Sequence, residues 1–196
     1  LGAGCLCLAC MMLQGIPVRL SFIVIASFFV YAMHVLNRLL GLKPAGMIGS
    51  FREETYHRHG KLFFYTALAS ILIALVLALN NAVLPFIFLF VISLAGVLYN
   101  MKILPKKWHF RSLKDLPGSK NTFMSIAWGI VAAILPALSK HYYFHAGLIV
   151  AFGFTFGIVF IRSAMSDILE IQSDKLIGQE TIPVFFGKAR TLIVLK

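Results

Sequence analysis

The sequence predicts an all-α, polytopic transmembrane helix bundle, and three observations predict it. Of its 196 residues, 60% are hydrophobic and only 13% charged, whereas a soluble domain carries charge on about a quarter of its residues. The apolar residues fall in runs long enough to cross a hydrocarbon core of ~30 Å, which takes ~20 helical residues. The charged residues fall between those runs, with no strand-like alternation and turn signals to suggest a barrel. A net charge of +11 would fit nucleic acid if the basic residues built a soluble face. They punctuate apolar runs instead, so the expected partner is the lipid bilayer and nucleic acid is excluded.

The first apolar run, Leu1–Leu13, reads as the end of a span. It holds all three cysteines, Cys5, Cys7 and Cys10. No His or carboxylate lies nearby to complete a metal set, so they read as small buried residues of a membrane helix. Five full spans follow, Val18–Leu40, Leu62–Asn80, Val83–Tyr99, Thr122–Leu138 and Tyr143–Ala164, and another begins at Thr191. Both ends of the chain lie in apolar stretches, Leu1 stands where an initiator Met would, and no signal peptide is visible. The expectation is a single, partial transmembrane domain over residues 1–196, truncated at both ends.

Charge placement sets the expected orientation. Gly41–Lys61 holds four Lys/Arg, Asn100–Asn121 six and Ser166–Arg190 three, while only Arg19 and Lys140 lie near the short connections. Lys and Arg favour the cytoplasmic side, so the three long loops are expected there, in a plasma (inner) membrane. Arg38 and Arg162 fall at the same side, and Tyr142, Tyr143 and Phe144 form an aromatic belt at the opposite interface. All seven acidic residues also lie in the three long loops. Orientation alone needs no carboxylates, so these point to chemistry on that face.

The third loop places Asp167, Glu170 and Asp174 at i, i+3 and i+7. At roughly 100° per residue they share one helical face within about 60°. Three like charges on one face repel each other. A divalent cation removes the repulsion, and hard oxygens suit Mg²⁺, which prefers one or two carboxylates together with substrate phosphates. The alternative is a solvated helix end with incidental acids.

The loop also resembles the second aspartate-rich motif of the UbiA superfamily of intramembrane prenyltransferases. There an Asp-x-x-Asp-x-x-x-Asp run precedes Gly, Thr-x-Pro and a further Gly, and this chain has Asp167, Glu170, Asp174, Gly178, Thr181, Pro183 and Gly187. Glu170 is a conservative departure. The spans and long loops fit as well, so the resemblance covers the whole chain, as roughly the first two thirds of a nine-helix, UbiA-like bundle. It implies transfer of a prenyl group (an alkyl or aryl group other than methyl) from a polyprenyl diphosphate to a small aromatic or lipid acceptor, as in quinone biosynthesis. The implied cofactor is Mg²⁺ on Asp167, Glu170 and Asp174, which are the expected catalytic and metal-binding residues.

The family's first acidic motif belongs at the end of the second span. Met33, His34, Asn37 and Gly41 stand where its Asn and three Asp are expected. His34, Asn37 and Gly41 repeat the spacing of Asp167, Glu170 and Asp174, so the two halves look like a degenerate internal repeat whose first copy has lost its carboxylates. Three readings stay open. His34, Asn37 and Arg38 bind diphosphate directly, or they are the relic of a lost site, or they merely end a helix at the interface. Glu53 and Glu54 lie in the same loop as candidate replacement acids. Glu54-x-x-His57 has the spacing of half a di-iron site, but a second copy is missing.

The middle loop is strongly basic. Tyr99 and Lys102 resemble a Tyr–Lys pair of the family, one residue closer than usual, and Lys102 and Lys120 flank spans where they could meet anionic oxygens. The alternative is a topology signal alone. Departure of diphosphate from an allylic chain leaves negative charge on oxygen and positive charge on carbon. Cations stabilise the first and aromatic faces the second, with Tyr31, Tyr99 and Phe156 as candidates. Packed core or lipid-facing surface is the competing reading for each. A transporter or a non-catalytic lipid- or quinone-binding protein is the functional alternative. The spans from Leu62 to Tyr99 hold no charge, and polar chemistry at one rim favours an interfacial enzyme over a transporter. A CDP-alcohol phosphotransferase would need Asp-Gly and Ala-Arg pairs that the loop lacks.

Overall fold

The computed structural model describes residues 2–40, 51–100, 119–139 and 145–169, and Ile171, Val184, Gly187 and Thr191 singly, with the side chains of 51–54, 57 and 100 excepted. The described chain is helical, with no strand among the described residues: α1 (Gly2–Leu13), α2 (Leu20–Leu40), α3 (Phe51–Asn81), α4 (Val83–Asn100), α5 (Ser119–Gly129), a π-helical turn (Ile130–Ile134), α6 (Leu135–Leu138) and α7 (Ala146–Leu169). Four stretches are long and apolar enough to cross a membrane: Leu20–Leu40, Arg58–Asn81, Ser119–Leu138 and Ala146–Leu169. The expected span Val83–Tyr99 forms a shorter apolar helix.

The helix ends follow from local sequence. α1 stops because Gly15 takes φ +65°, which a residue without a Cβ adopts freely. The Ile16 amide then donates to the Met11 carbonyl at 2.9 Å and the Gly15 amide to that of Met12 at 3.1 Å, a Schellman closure followed at once by Pro17. One residue, Ala82, separates α3 from α4. Pro85 sits in the first turn of α4, where the missing N–H has no helical partner to lose. α3 extends well beyond its apolar run. Residues 51–61, expected as loop, continue the helix through a kink at His59 (φ −116°, ψ 23°).

Packing separates a lipid face from a core. α2 buries Phe22, Ile25, Ala26, Phe29, Ala32 and Val35 along one stripe. Against it α3 buries only small residues, Ala67, Ser70, Ala74 and Ala78, which lets the two backbones approach closely. The outward face of α3 exposes Leu62, Tyr65, Leu72 and Val76. In water that surface would be a large apolar patch, and in hydrocarbon it is the proper surface. The central core gathers Cys7, Cys10, Met11, Ile25, Val131 and Leu135. α1 packs on both α2 and α7, and α7 packs chiefly on α5.

The helices alternate in direction. Arg19 and Ser21 meet Asn81 at one end of the bundle, where Ser21 Oγ donates to Asn81 Oδ1 at 3.0 Å. Arg38 lies over Tyr56 at the other end, as do the contacts of Tyr99 with Ser119 and of Lys120 with Asp167. The described helix ends that flank the three charged connections therefore lie at one end of the bundle. In the core, Gln14 Nε2 donates to the carbonyls of Cys10 at 3.0 Å and Ala133 at 3.1 Å. Ala133 lies in the π-turn, three residues before Pro136, whose nitrogen has no hydrogen to donate.

Candidate functional site

The best-defined polar site lies where the end of α7 meets the start of α5. α7 continues as helix past its apolar run, so Ser163 and Asp167, four residues apart, project from the same face. α5 begins at Ser119, which places Lys120 and Asn121 in its first turn. The Asp167 carboxylate is 2% exposed and accepts two hydrogen bonds. Lys120 Nζ donates to Oδ1 at 3.0 Å and Asn121 Nδ2 donates to Oδ2 at 2.8 Å. Ser163 Oγ donates to Asn121 Oδ1 at 2.5 Å, and Asn121 is itself only 1% exposed.

These contacts explain how a carboxylate can be buried beside hydrocarbon. An isolated buried ion is prohibitively expensive, so it survives only with an opposite charge and satisfied lone pairs. Lys120 supplies the charge and Asn121 a neutral donor, and the first turn of α5 adds the positive end of a helix dipole. The two partners differ in kind. Asn121 is buried and held by Ser163, whereas the Lys120 side chain is 54% exposed and so in contact with the surroundings of the bundle.

Tyr99 joins this end of the molecule. Its hydroxyl lies 3.1 Å from Ser119 Oγ and its ring 5.0 Å from that of Phe123. Tyr99, Lys120 and Asp167, three residues singled out in the sequence, are thus gathered around the start of α5. Asn121 and Ser163 were not singled out. The signal available for them was a polar residue within an apolar run, which marks burial without naming a partner.

His34, Asn37 and Arg38 lie on α2, with His34 and Asn37 exposed. Arg38 Nε donates to His34 Nε2 at 3.2 Å, and the guanidinium sits 5.8 Å from the centre of the Tyr56 ring. Both α2 and α7 pack on α1, and no described hydrogen bond links the His34–Arg38 group to Asp167. Met33 packs against Gly96 of α4. Tyr31 pairs with Thr66 at 3.1 Å, and Phe156 stacks between Phe152 and Phe160 along α7. Glu170, Asp174, Lys102 and Gly41 lie outside the described residues, as do the side chains of Glu53, Glu54 and His57.

A carboxylate is the donor type a hard cation prefers, but each Asp167 oxygen already accepts a hydrogen bond, from Lys120 and from Asn121. Among the described residues no group of three or more His, Cys, Asp or Glu could hold a metal. Cys7 and Cys10 are buried free thiols. Cys10 Sγ lies 2.9 Å from Thr155 Oγ1, in keeping with a packing role. Comparison of the chain with protein-family models, with curated proteins and with solved structures finds no match.

Proposed function

We propose that the chain is a membrane-embedded transferase that moves a prenyl group from a polyprenyl diphosphate to an aromatic or lipid acceptor with the help of Mg²⁺. This is the activity that its resemblance to the UbiA superfamily implies. The observation that supports it is a buried carboxylate paired with a half-exposed lysine at the rim of an apolar bundle. Such a rim can hold a charged headgroup while its tail stays in hydrocarbon. The cytoplasmic face of the plasma membrane is the side that the basic loops favour.

In this reading Asp167 is the fixed anion of the site, and Glu170 and Asp174, its companions in the sequence motif, are the other acids expected to serve it. Mg²⁺, when bound, neutralises the charge that builds on the departing diphosphate. Lys120 pairs with phosphate oxygens, a role the sequence also suggests for Lys102 at the other end of the same loop. The Tyr99 ring is held by Ser119 at the same rim, where its face can stabilise an allylic cation. The apolar side chains around the site keep water from quenching that cation.

A second reading, non-catalytic binding of a lipid or quinone, draws on a different observation. An open groove of about 380 Å³ runs between α2 and α3, lined by Ile23, Val24, Ser27, Phe28, Tyr31 and Ser70.

The two readings separate in membranes assayed with radiolabelled prenyl diphosphates and a panel of aromatic acceptors, with and without Mg²⁺. Transfer that needs Mg²⁺ and falls on the order of 10²-fold or more in Asp167→Asn is the expected result. A protein inert with every donor would leave the binding reading, whereas an Asp167→Asn variant with full activity and unchanged Mg²⁺ dependence would remove Asp167 from the metal role.

A further inference from the structure

Among the described residues two buried side-chain polar atoms have no hydrogen-bond partner, Gln14 Oε1 and His145 Nε2. The two residues are neighbours. A Cβ on Gly147 would stand 3.1 Å from His145 Nε2 and 3.3 Å from Gln14 Cα, so the imidazole edge and the end of α1 meet at the first turn of α7. At 1.5 Å per helical residue, that place is about 30 Å along α7 from Asp167. Gln14 is 9% exposed, and the orientation of its amide is determined. Nε2 donates to the carbonyl of Cys10 at 3.0 Å and to that of Ala133, in the π-turn, at 3.1 Å. Turning the amide over would set its oxygen against both carbonyls, so the unpaired atom is an acceptor. A buried acceptor that meets no donor loses its hydration without return, and folded interiors rarely keep two unpaired polar atoms together.

We infer that Gln14 and His145 together bind a neutral hydroxyl group, at a site separate from Asp167 and independent of the proposed transfer reaction. The two unpaired atoms select that chemistry. An anion or a ketone-type carbonyl brings no hydrogen for Gln14 Oε1. An ammonium brings hydrogens together with a charge that neither an amide nor a neutral imidazole balances. A hydroxyl donates its one hydrogen to Gln14 Oε1 and accepts another from His145 Nε2–H. Two sources supply such a group. A water has a second hydrogen, so it also serves the tautomer in which Nε2 is bare. An uncharged alcohol or phenol with its tail in hydrocarbon has only one, so it requires Nε2–H. The half-buried His145 leaves the site within reach of either.

Solid-state NMR of the full chain in lipid vesicles, with the ring of His145 and the side-chain amide of Gln14 assigned through their backbone neighbours, separates the sources. A bridging hydroxyl touches both groups, so both should respond together. If water is the occupant, water protons should transfer magnetisation to His145 Nε2 and to the buried Gln14 amide alike. If an alcohol or phenol is the occupant, 4-octylphenol added to the vesicles should shift both signals saturably, with Nε2 protonated. Gln14→Leu removes the acceptor and should raise the 4-octylphenol concentration for half of the His145 shift about fivefold, the worth of one net hydrogen bond. Ser70→Ala, in the groove between α2 and α3, should leave that concentration unchanged. The unchanged chain decides the matter, so a misfolded variant cannot obscure it. If His145 alone responds, it is merely hydrated at the membrane surface and the inference is overturned. It is overturned equally if neither group responds to water or to 4-octylphenol, and the reading of Asp167 stands in both cases.

Discussion

At the scale of single residues, the site turns on polar groups that have no freedom to be wrong. Ser163 Oγ supplies a donor for Asn121 Oδ1, and both residues are buried. Ser163→Ala strands that oxygen in an apolar interior, at a cost of about 1–3 kcal/mol. Ser166→Ala, at an exposed position three residues on, should stay within about 0.5 kcal/mol. Thermal unfolding in one detergent separates the two, and equal midpoints would show that Asn121 is not held through Ser163. Asp167 was legible in the sequence because its spacing to Glu170 and Asp174 follows a helical face. Its partners were not. Lys120 is 47 positions away from it in sequence, and no local pattern records a contact made across a helix pair. His34 and Asn37 keep the spacing of that motif, yet the described contacts tie His34 to Arg38 and leave this group on a different helix from Asp167.

Elements tell a similar story through glycines. A Cβ on Gly129 would lie 2.7 Å from Phe152 Cε2 and 2.9 Å from Cδ2, so α5 and α7 touch there through a bare backbone. The Phe152 ring is a rigid group that also pairs with Phe156, so it can relieve the contact only by moving as a whole. Gly129→Ala should therefore cost about 1–3 kcal/mol from overpacking, which outweighs the ~0.5–1 kcal/mol that Ala gains over Gly in a helix. Gly96 makes the opposite case. Its added Cβ would meet the terminal methyl of Met33 and, at 3.6 Å, its sulfur, the flexible end of a side chain that can swing aside. Gly96→Ala should be neutral or slightly stabilising. A denaturation midpoint for each tests the pair, and a destabilised Gly96→Ala would place that packing in error. The helical spans could be read from hydropathy because lipid demands internally satisfied backbone over ~20 residues. The continuation of α3 through residues 51–61 could not, since polar residues past a membrane surface suit helix and loop alike. The π-turn at Ile130–Ile134 carried one hint, Pro136, but a proline announces only a disturbed helix and not its form.

For the whole molecule, the described helix ends that flank the three charged connections lie at one end of the bundle, so a single pair of labels fixes its orientation. In a Cys5→Ser background, which removes the exposed native thiol, Val18→Cys should react with an impermeant maleimide added to intact cells. Val18 is 50% exposed at the sparsely charged end. Ser166→Cys, exposed at the opposite end, should react only after the membrane is opened. The reverse pattern would place the basic loops outside. The position of α1 has one further consequence, in time rather than in space. Gln14 bonds a carbonyl 119 residues later, and Cys10 meets a hydroxyl 145 residues later. A ribosome adding about 5–20 residues per second needs on the order of ten seconds to deliver those partners. For that interval α1 waits in the bilayer with an amide and a thiol unmatched, while α2 and α3, close in sequence, can already pair. Insertion is thus expected to pass through a stage in which α1 is sheltered by the insertion machinery and settles between α2 and α7 last.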